Sequence, residues 1–149
     1  MRGPVFAVRL KKIIINLNAM NHKRAMAFGV MVWVWIFAIF SVLMFLPGLQ
    51  GREWLQTVIF WISLIPLALL AAKWYFRGDP PSAKKGFWLG LYGLVIGTIL
   101  DLVFTIPAFI KSYSAYYSDW TLYVSFALFW ILCILAGAEF DKTFTRDKV

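Results

Sequence analysis

Residues 86–109 read GFWLGLYGLVIGTILDLVFTIPAF, an apolar stretch that contains a single carboxylate, Asp101. Its glycines stand at positions 86, 90, 93 and 97. On an α-helix these spacings place the glycines on one face, and the same face leads to Asp101. The stretch therefore predicts a membrane-spanning helix with one bare face that other helices can approach closely.

The composition of the whole chain is typical of a membrane protein. Hydrophobic residues make up 62% of its 149 residues and charged residues 15%, whereas soluble domains contain about 45–50% and about 25%. The formal net charge is +8. Because the basic residues flank apolar stretches and do not alternate with exposed aromatic residues, the pattern favours an anionic lipid surface, and not nucleic acid, as the partner.

Three further apolar stretches complete a predicted transmembrane domain over residues 25–149. The four predicted spans are 25–46, 54–76, 86–110 and 120–140. Each is long enough to cross a hydrocarbon core of ~30 Å. Short connections favour an all-α fold, an up-down antiparallel bundle of four helices. Pro66 is expected to kink the second span and to free the carbonyl of Ile62.

Residues 1–24 form a basic flank with six Lys or Arg and no acidic residue. The apolar residues between Phe6 and Leu17 fall on one helical face, as in a helix that lies in the membrane interface. A second interpretation is that translation starts at Met20 and that residues 1–19 are an upstream extension. The sequence leaves both interpretations open.

The distribution of Lys and Arg predicts the orientation of the spans. Six lie in the N-terminal flank, four in residues 73–85 and three in the C-terminal tail, against only Arg52 and Lys111 on the other side. Cytoplasmic flanks carry the excess of Lys and Arg. Both termini and the 77–85 connection are therefore expected to be cytoplasmic, in a multi-pass protein of the cytoplasmic (inner) membrane.

Asp101 is the main candidate for a functional polar residue. A carboxylate inside a span costs about 2.5–3.5 kcal/mol on insertion scales, so its side chain should face protein or a water-filled cavity. Thr98 and Thr105 flank it, and Ser63 lies at a similar depth if the second and third spans are antiparallel neighbours. These four residues form the candidate polar pocket. In a purely structural role, a protonated Asp101 would donate a hydrogen bond to the Ile62 carbonyl and accept one from Ser63.

The glycines of the third span are candidate helix-packing residues, either within the bundle or between two copies of the chain. They are Gly86, Gly90, Gly93 and Gly97. The chain has one cysteine, Cys133, and one histidine, His22, which excludes an intrachain disulfide and a histidine-cluster metal site. We expect no metal, no bound cofactor and no enzymatic activity, because the spans contain no pair of nucleophile and base.

The third span resembles that of small bacterial four-helix inner-membrane domains of unknown function. In that group glycines precede an aspartate and a proline follows it. The matching residues here are Gly90, Gly93, Gly97, Asp101 and Pro107. The resemblance implies a four-helix membrane topology and carries no activity.

Two hypotheses of function follow. The first is an accessory or scaffold protein of the cytoplasmic membrane, an assembly partner in a homo-oligomer or a larger complex. The alternative is a protein that binds or transports a small solute, a proton or a cation in the pocket around Asp101. A cavity that reaches Asp101 favours the alternative, and a dry, packed Asp101 favours the scaffold.

Overall fold

The computed structural model describes the backbone of residues 20–146 and the side chains of residues 20–141. The predicted interfacial helix falls on residues 1–19, outside the described residues. The described elements are α1 (His22–Phe45), α2 (Glu53–Phe76), α3 (Ala83–Leu100), a π-helix that we call the π segment (Asp101–Ile110), α4 (Tyr113–Ser118) and α5 (Trp120–Arg146).

Four of the described helices are long and apolar enough to cross a membrane. They are His22–Phe45, Glu53–Phe76, Ala83–Ile110 and Trp120–Asp141. Large apolar side chains point outward along their length, and Ile62, Leu70 and Val103 are 64%, 66% and 58% exposed. Helices that are apolar on their outer as well as their inner faces suit lipid surroundings. For the residues that the structure describes, the prediction of an all-α fold with four potential membrane helices is confirmed.

The four long helices are arranged in the order α1, α2, α5, α3 around the bundle. Both α2 and α3 pack mainly against α1 and α5. One hydrogen bond of this packing runs from Trp61 Nε1 on α2 to Ser125 Oγ on α5, at 2.9 Å. Although α2 and α3 are consecutive, they are not main packing partners. α2 continues as an α-helix on both sides of Pro66. The kink expected at Pro66 stays a prediction.

The backbones of α3 and α5 approach each other most closely at two glycines. A Cβ atom added to Gly137 would lie 3.1 Å from Gly86 Cα, and a Cβ added to Gly86 would overlap the carbonyl oxygen of Cys133. One turn further along α3, a Cβ on Gly90 would lie 2.5 Å from Trp130 Cδ1. Only residues without a side chain allow this contact.

The contact continues at Gly93 and ends before Gly97. A Cβ on Gly93 would lie 2.7 Å from the ring of Phe129, whereas a Cβ on Gly97 would meet no atom within 4 Å. The sequence makes Gly97, like the other three glycines, a candidate for helix packing, either within the bundle or between two copies of the chain. In the structure Gly97 takes no part in this contact, because α3 and α5 have already separated at its level.

Asp79 ties together the end of the bundle that carries the start of α1 and the 77–82 connection, which we call the basic end. Its carboxylate accepts hydrogen bonds from the Tyr75 hydroxyl (2.8 Å) and the Asn21 backbone N–H (3.4 Å), and it forms an ion pair with Lys85. Burial alone would raise the pKa of Asp79, but these partners outweigh burial and hold it below its ordinary value. The opposite end, with the 46–52 and 111–119 connections, is called the tyrosine end.

A pair of Gly-to-Ala substitutions on α3 tests the helix packing. Gly86→Ala is expected to destabilise the protein by about 1–3 kcal/mol, the range for overpacking, because the backbone of Cys133 cannot turn away. Gly97→Ala is the matched control. Its Cβ meets open space, and alanine is favoured over glycine in a helix by up to about 1 kcal/mol. Melting temperatures in detergent measure both effects, and equal losses would contradict the packing.

Candidate functional site

The helix that carries Asp101 changes type at that residue. α3 ends at Leu100, and the π segment continues it with hydrogen bonds between residues five positions apart. An example is the bond from the Lys111 N–H to the Ile106 carbonyl at 2.7 Å. Pro107 inside the segment has no N–H to donate. Lys111 ends it with a left-handed backbone, φ 58°. π-helical turns inside α-helices occur frequently at functional sites.

The π segment also changes the depth of Asp101. A π-helix has more residues per turn than an α-helix, so it advances less along its axis for each residue. Asp101 therefore lies closer to the tyrosine end than a count at 1.5 Å per residue predicts. This shift brings its carboxylate within reach of the connection that follows the π segment.

The Asp101 carboxylate accepts three hydrogen bonds, from three different elements. Trp33 Nε1 on α1 donates to Oδ1 at 2.9 Å, and Thr105 Oγ1 in the π segment donates to the same oxygen at 2.7 Å. The Tyr116 hydroxyl on α4 donates to Oδ2 at 2.7 Å. An indole N–H can only donate, and an ionised carboxylate can only accept. One side chain thus ties α1, the π segment and α4 together.

Tyr116 reaches Asp101 because residues 111–119 fold back over the end of the bundle. The Ser112 side chain caps α4 by accepting a hydrogen bond from the Ala115 N–H at 3.2 Å. Burial raises the pKa of the Tyr116 phenol well above its ordinary value, and the charge of Asp101 raises it further. The phenol therefore keeps its proton, and its role as donor, at neutral pH.

The structure brings together two of the four predicted pocket residues, Asp101 and Thr105. Ser63 instead donates to a carbonyl one turn earlier in its own helix, at 2.8 Å. Neither Ser63 nor Thr98 lines the cavity beside Asp101. Among the described residues, neither the expected hydrogen bond from Ser63 to Asp101 nor the one from Asp101 to the Ile62 carbonyl is formed. The reason is that α3 packs against α1 and α5, and not chiefly against α2.

A cavity of about 520 Å³ lies beside Asp101. Its volume falls within the ~300–1,000 Å³ that is usual for small-molecule sites. At the tyrosine end it is lined by Glu53 and Asp119, whose side chains are exposed, and it extends to Leu64 and Phe129 in the middle of the bundle. Asp101 therefore lies in a cavity wall and not in a packed core.

The cavity wall is largely aromatic, with a few polar groups. The aromatic lining residues are Trp33, Phe37, Phe40, Phe60, Phe109, Tyr116, Phe126 and Phe129. The polar lining side chains besides those of Asp101 and Tyr116 belong to Ser41, Glu53, Thr57, Thr105, Asp119, Thr121 and Ser125. Gly97 also lines the cavity, which is why a Cβ there meets open space. Apolar walls with a small number of polar groups are typical of small-molecule sites.

Sequence reasoning missed Trp33 and Tyr116, two of the three partners of Asp101. Trp33 is one of eight tryptophans, and nothing in its spacing distinguishes it from a lipid-facing one. The stretch KSYSAYYSD, residues 111–119, is visibly rich in tyrosine for a connection between two spans. This tyrosine content was the one sign in the sequence that the connection could contact the bundle, but it does not indicate which tyrosine does so.

A double-mutant cycle tests the hydrogen bond between Tyr116 and Asp101. Tyr116→Phe removes only the hydroxyl and is expected to lower the free energy of unfolding by about 1.5–3 kcal/mol, the range for hydrogen bonds to charged groups. In an Asp101→Leu background the same substitution should have much less effect. Tyr117→Phe is the matched control, since the Tyr117 hydroxyl does not bond to Asp101. Equal losses for Tyr116→Phe in both backgrounds would show that the bond is not formed.

No family model, no curated protein and no solved structure matches this chain. Its function is therefore inferred from the geometry of the cavity.

Proposed function

We propose that this protein binds a small amphiphilic solute in the cavity beside Asp101 and takes part in transporting it across the cytoplasmic membrane. The observation that carries the proposal is the position of Asp101 in the wall of a cavity of about 520 Å³. A carboxylate that only held helices together would be expected in a dry, packed site. The space beside Asp101 is large enough for a ligand.

The cavity has one region that suits the apolar part of a solute and another that suits its polar end. The aromatic walls suit the apolar part of a solute. A carboxylate has about four acceptor positions, and three of those of Asp101 are filled by Trp33, Thr105 and Tyr116. One position remains for a donor on the solute. Binding of this kind involves no covalent change, so the proposal treats the protein as non-enzymatic.

The half of the bundle near the basic end is closely packed around fully buried side chains. Ala68, Ala72, Leu89 and Cys133 are each 0% exposed. A solute would therefore enter from the tyrosine end and stop at the level of Phe129. Passage to the other side requires this packed half to open.

The proposal includes an orientation in the membrane. The helices form an up-down antiparallel bundle, with both termini and the 77–82 connection in the cytoplasm and the cavity mouth on the outside. Support comes from the sequence, which has 13 Lys and Arg in residues 1–24, in residues 73–85 and in the C-terminal tail, against Arg52 and Lys111 in the other two flanks. The close contact of Gly86 with Gly137 supports opposite directions for α3 and α5, because Gly86 lies near the start of α3 and Gly137 lies toward the end of α5.

A scaffold function is the second candidate. It is favoured by the three hydrogen bonds that Asp101 already accepts from α1, the π segment and α4. In this case the carboxylate is a structural tie, and the cavity is filled by lipid or water. A measurement of ligand binding distinguishes the two functions, because only the binding function requires a solute in the cavity.

Thermal stability in the presence of small amphiphiles tests the binding function. A panel of cationic, neutral and anionic compounds is added to the purified protein in detergent. A ligand at 100 times its Kd stabilises a protein by about 2.7 kcal/mol, so at least one compound should raise the melting temperature of the wild type.

Two variants of α3 show whether such a shift arises in the cavity. Gly97→Leu places a side chain in the cavity and should fold but lose the shift. Val95→Leu is the matched control, because Val95 is 52% exposed on the outer face of the same helix. If no compound shifts the wild type, or if Gly97→Leu keeps the full shift, the binding function is contradicted.

A further inference from the structure

We infer that the solute of this cavity is an organic cation with an apolar body, an inference that rests on the proposed function and names its ligand class. The charges of the cavity wall carry it. Asp101, Glu53 and Asp119 line the cavity, and no Lys, Arg or His is among the described residues that line it. The wall is thus acidic in a protein whose formal net charge is +8.

Among the side chains that the structure describes, no Lys, Arg or His forms an ion pair with these three carboxylates. The Lys85 ammonium is paired with Asp79, at the basic end of the bundle. Arg52 and Lys111, the two basic residues near the tyrosine end, are exposed and do not line the cavity. A cleft lined by charges of one sign between apolar walls concentrates the electric field and attracts ions of the opposite sign.

The three carboxylates lie at two depths along the cavity. Glu53 in the first turn of α2 and Asp119 just before α5 are exposed at the mouth. Asp119 is held in place as it accepts hydrogen bonds from the Thr121 backbone N–H (2.9 Å) and hydroxyl (2.8 Å). Asp101 lies deeper, next to the Trp33 indole. A cation is therefore attracted at the mouth and again at the inner site.

The aromatic walls favour an organic cation over a metal ion. Ca²⁺ needs six to eight oxygen ligands that converge on one point, and among the described residues no group of three His, Cys, Asp or Glu side chains could hold a metal. Trp33 and Phe37 stack with ring centroids 5.3 Å apart, and Phe37 meets Phe109 at 5.3 Å. Aromatic faces attract organic cations and also bury apolar groups.

Three probes of similar shape and different charge test the inference. Tetraphenylphosphonium is a cation, triphenylphosphine oxide is neutral, and tetraphenylborate is an anion. Their affinities for the purified full chain in an uncharged detergent are measured by equilibrium dialysis. Tetraphenylphosphonium is expected to bind the wild type at least about tenfold more tightly than either of the other probes, a difference of about 1.4 kcal/mol.

Charge-neutralising variants identify the groups responsible. Asp101→Asn keeps the shape of the side chain and removes its charge, and Glu53→Gln with Asp119→Asn does the same at the exposed mouth, where folding is not at stake. Each change should weaken tetraphenylphosphonium binding several-fold and leave the neutral probe unaffected. Glu139→Gln, at the far end of α5, is the control and should change neither affinity.

The outcomes separate the inference from the proposed function. Tighter binding of the neutral or anionic probe, abolished by Gly97→Leu, overturns the cation inference and leaves the binding function standing. Preference for tetraphenylphosphonium that survives both charge-neutralising changes also overturns the inference. If no probe binds, or if Gly97→Leu binds all three as the wild type does, the proposed function fails together with the inference.

Discussion

The backbones of α3 and α5 meet at Gly86 and Gly137, where no side chain fits between them. This contact fixes the distance between the two helices at the basic end. Further along α3, the glycines contact large aromatic side chains of α5 and no longer its backbone. Gly90 faces Trp130, and Gly93 faces Phe129. The helices diverge in consequence, and at Gly97 they leave space. The cavity is thus the continuation of a glycine contact that exists at one end of the bundle only.

Beyond Gly97, where α3 and α5 have diverged, hydrogen bonds to Asp101 connect α1, the π segment and α4. A carboxylate in apolar surroundings is costly unless its oxygens are hydrogen-bonded. Trp33, Thr105 and Tyr116 supply these bonds from three elements. The π segment makes the arrangement possible, because it brings Asp101 toward the tyrosine end, where Tyr116 folds back. The same carboxylate then contributes to the negative charge of the cavity wall.

Local properties of the sequence predicted most of the fold. Hydropathy located the four long helices, and glycine spacing indicated a packing face on α3, which three of its four glycines form against α5. Both signals depend on residues close together in the chain. The order of helices around the bundle depends on contacts between distant residues, and spacing carries no information on it. The assumption that α2 and α3 are neighbours therefore led to Ser63, whereas the actual neighbours of α3 supply Trp33. Pro107 was the only local hint of the π segment.

The most direct measurement is the reaction of single cysteines with a membrane-impermeant, positively charged thiol reagent added to the outside of cells. The native thiol is first removed by Cys133→Ala, a small change at a buried site. Ser41 and Ser125 line the cavity on α1 and α5, whereas Ser63 on α2 does not. If the cavity is open to water at the tyrosine end, Ser41→Cys and Ser125→Cys will react and Ser63→Cys will not. Protection of all three cysteines, or reaction of Ser63→Cys alone, would contradict a cavity that leads from the tyrosine end to Asp101.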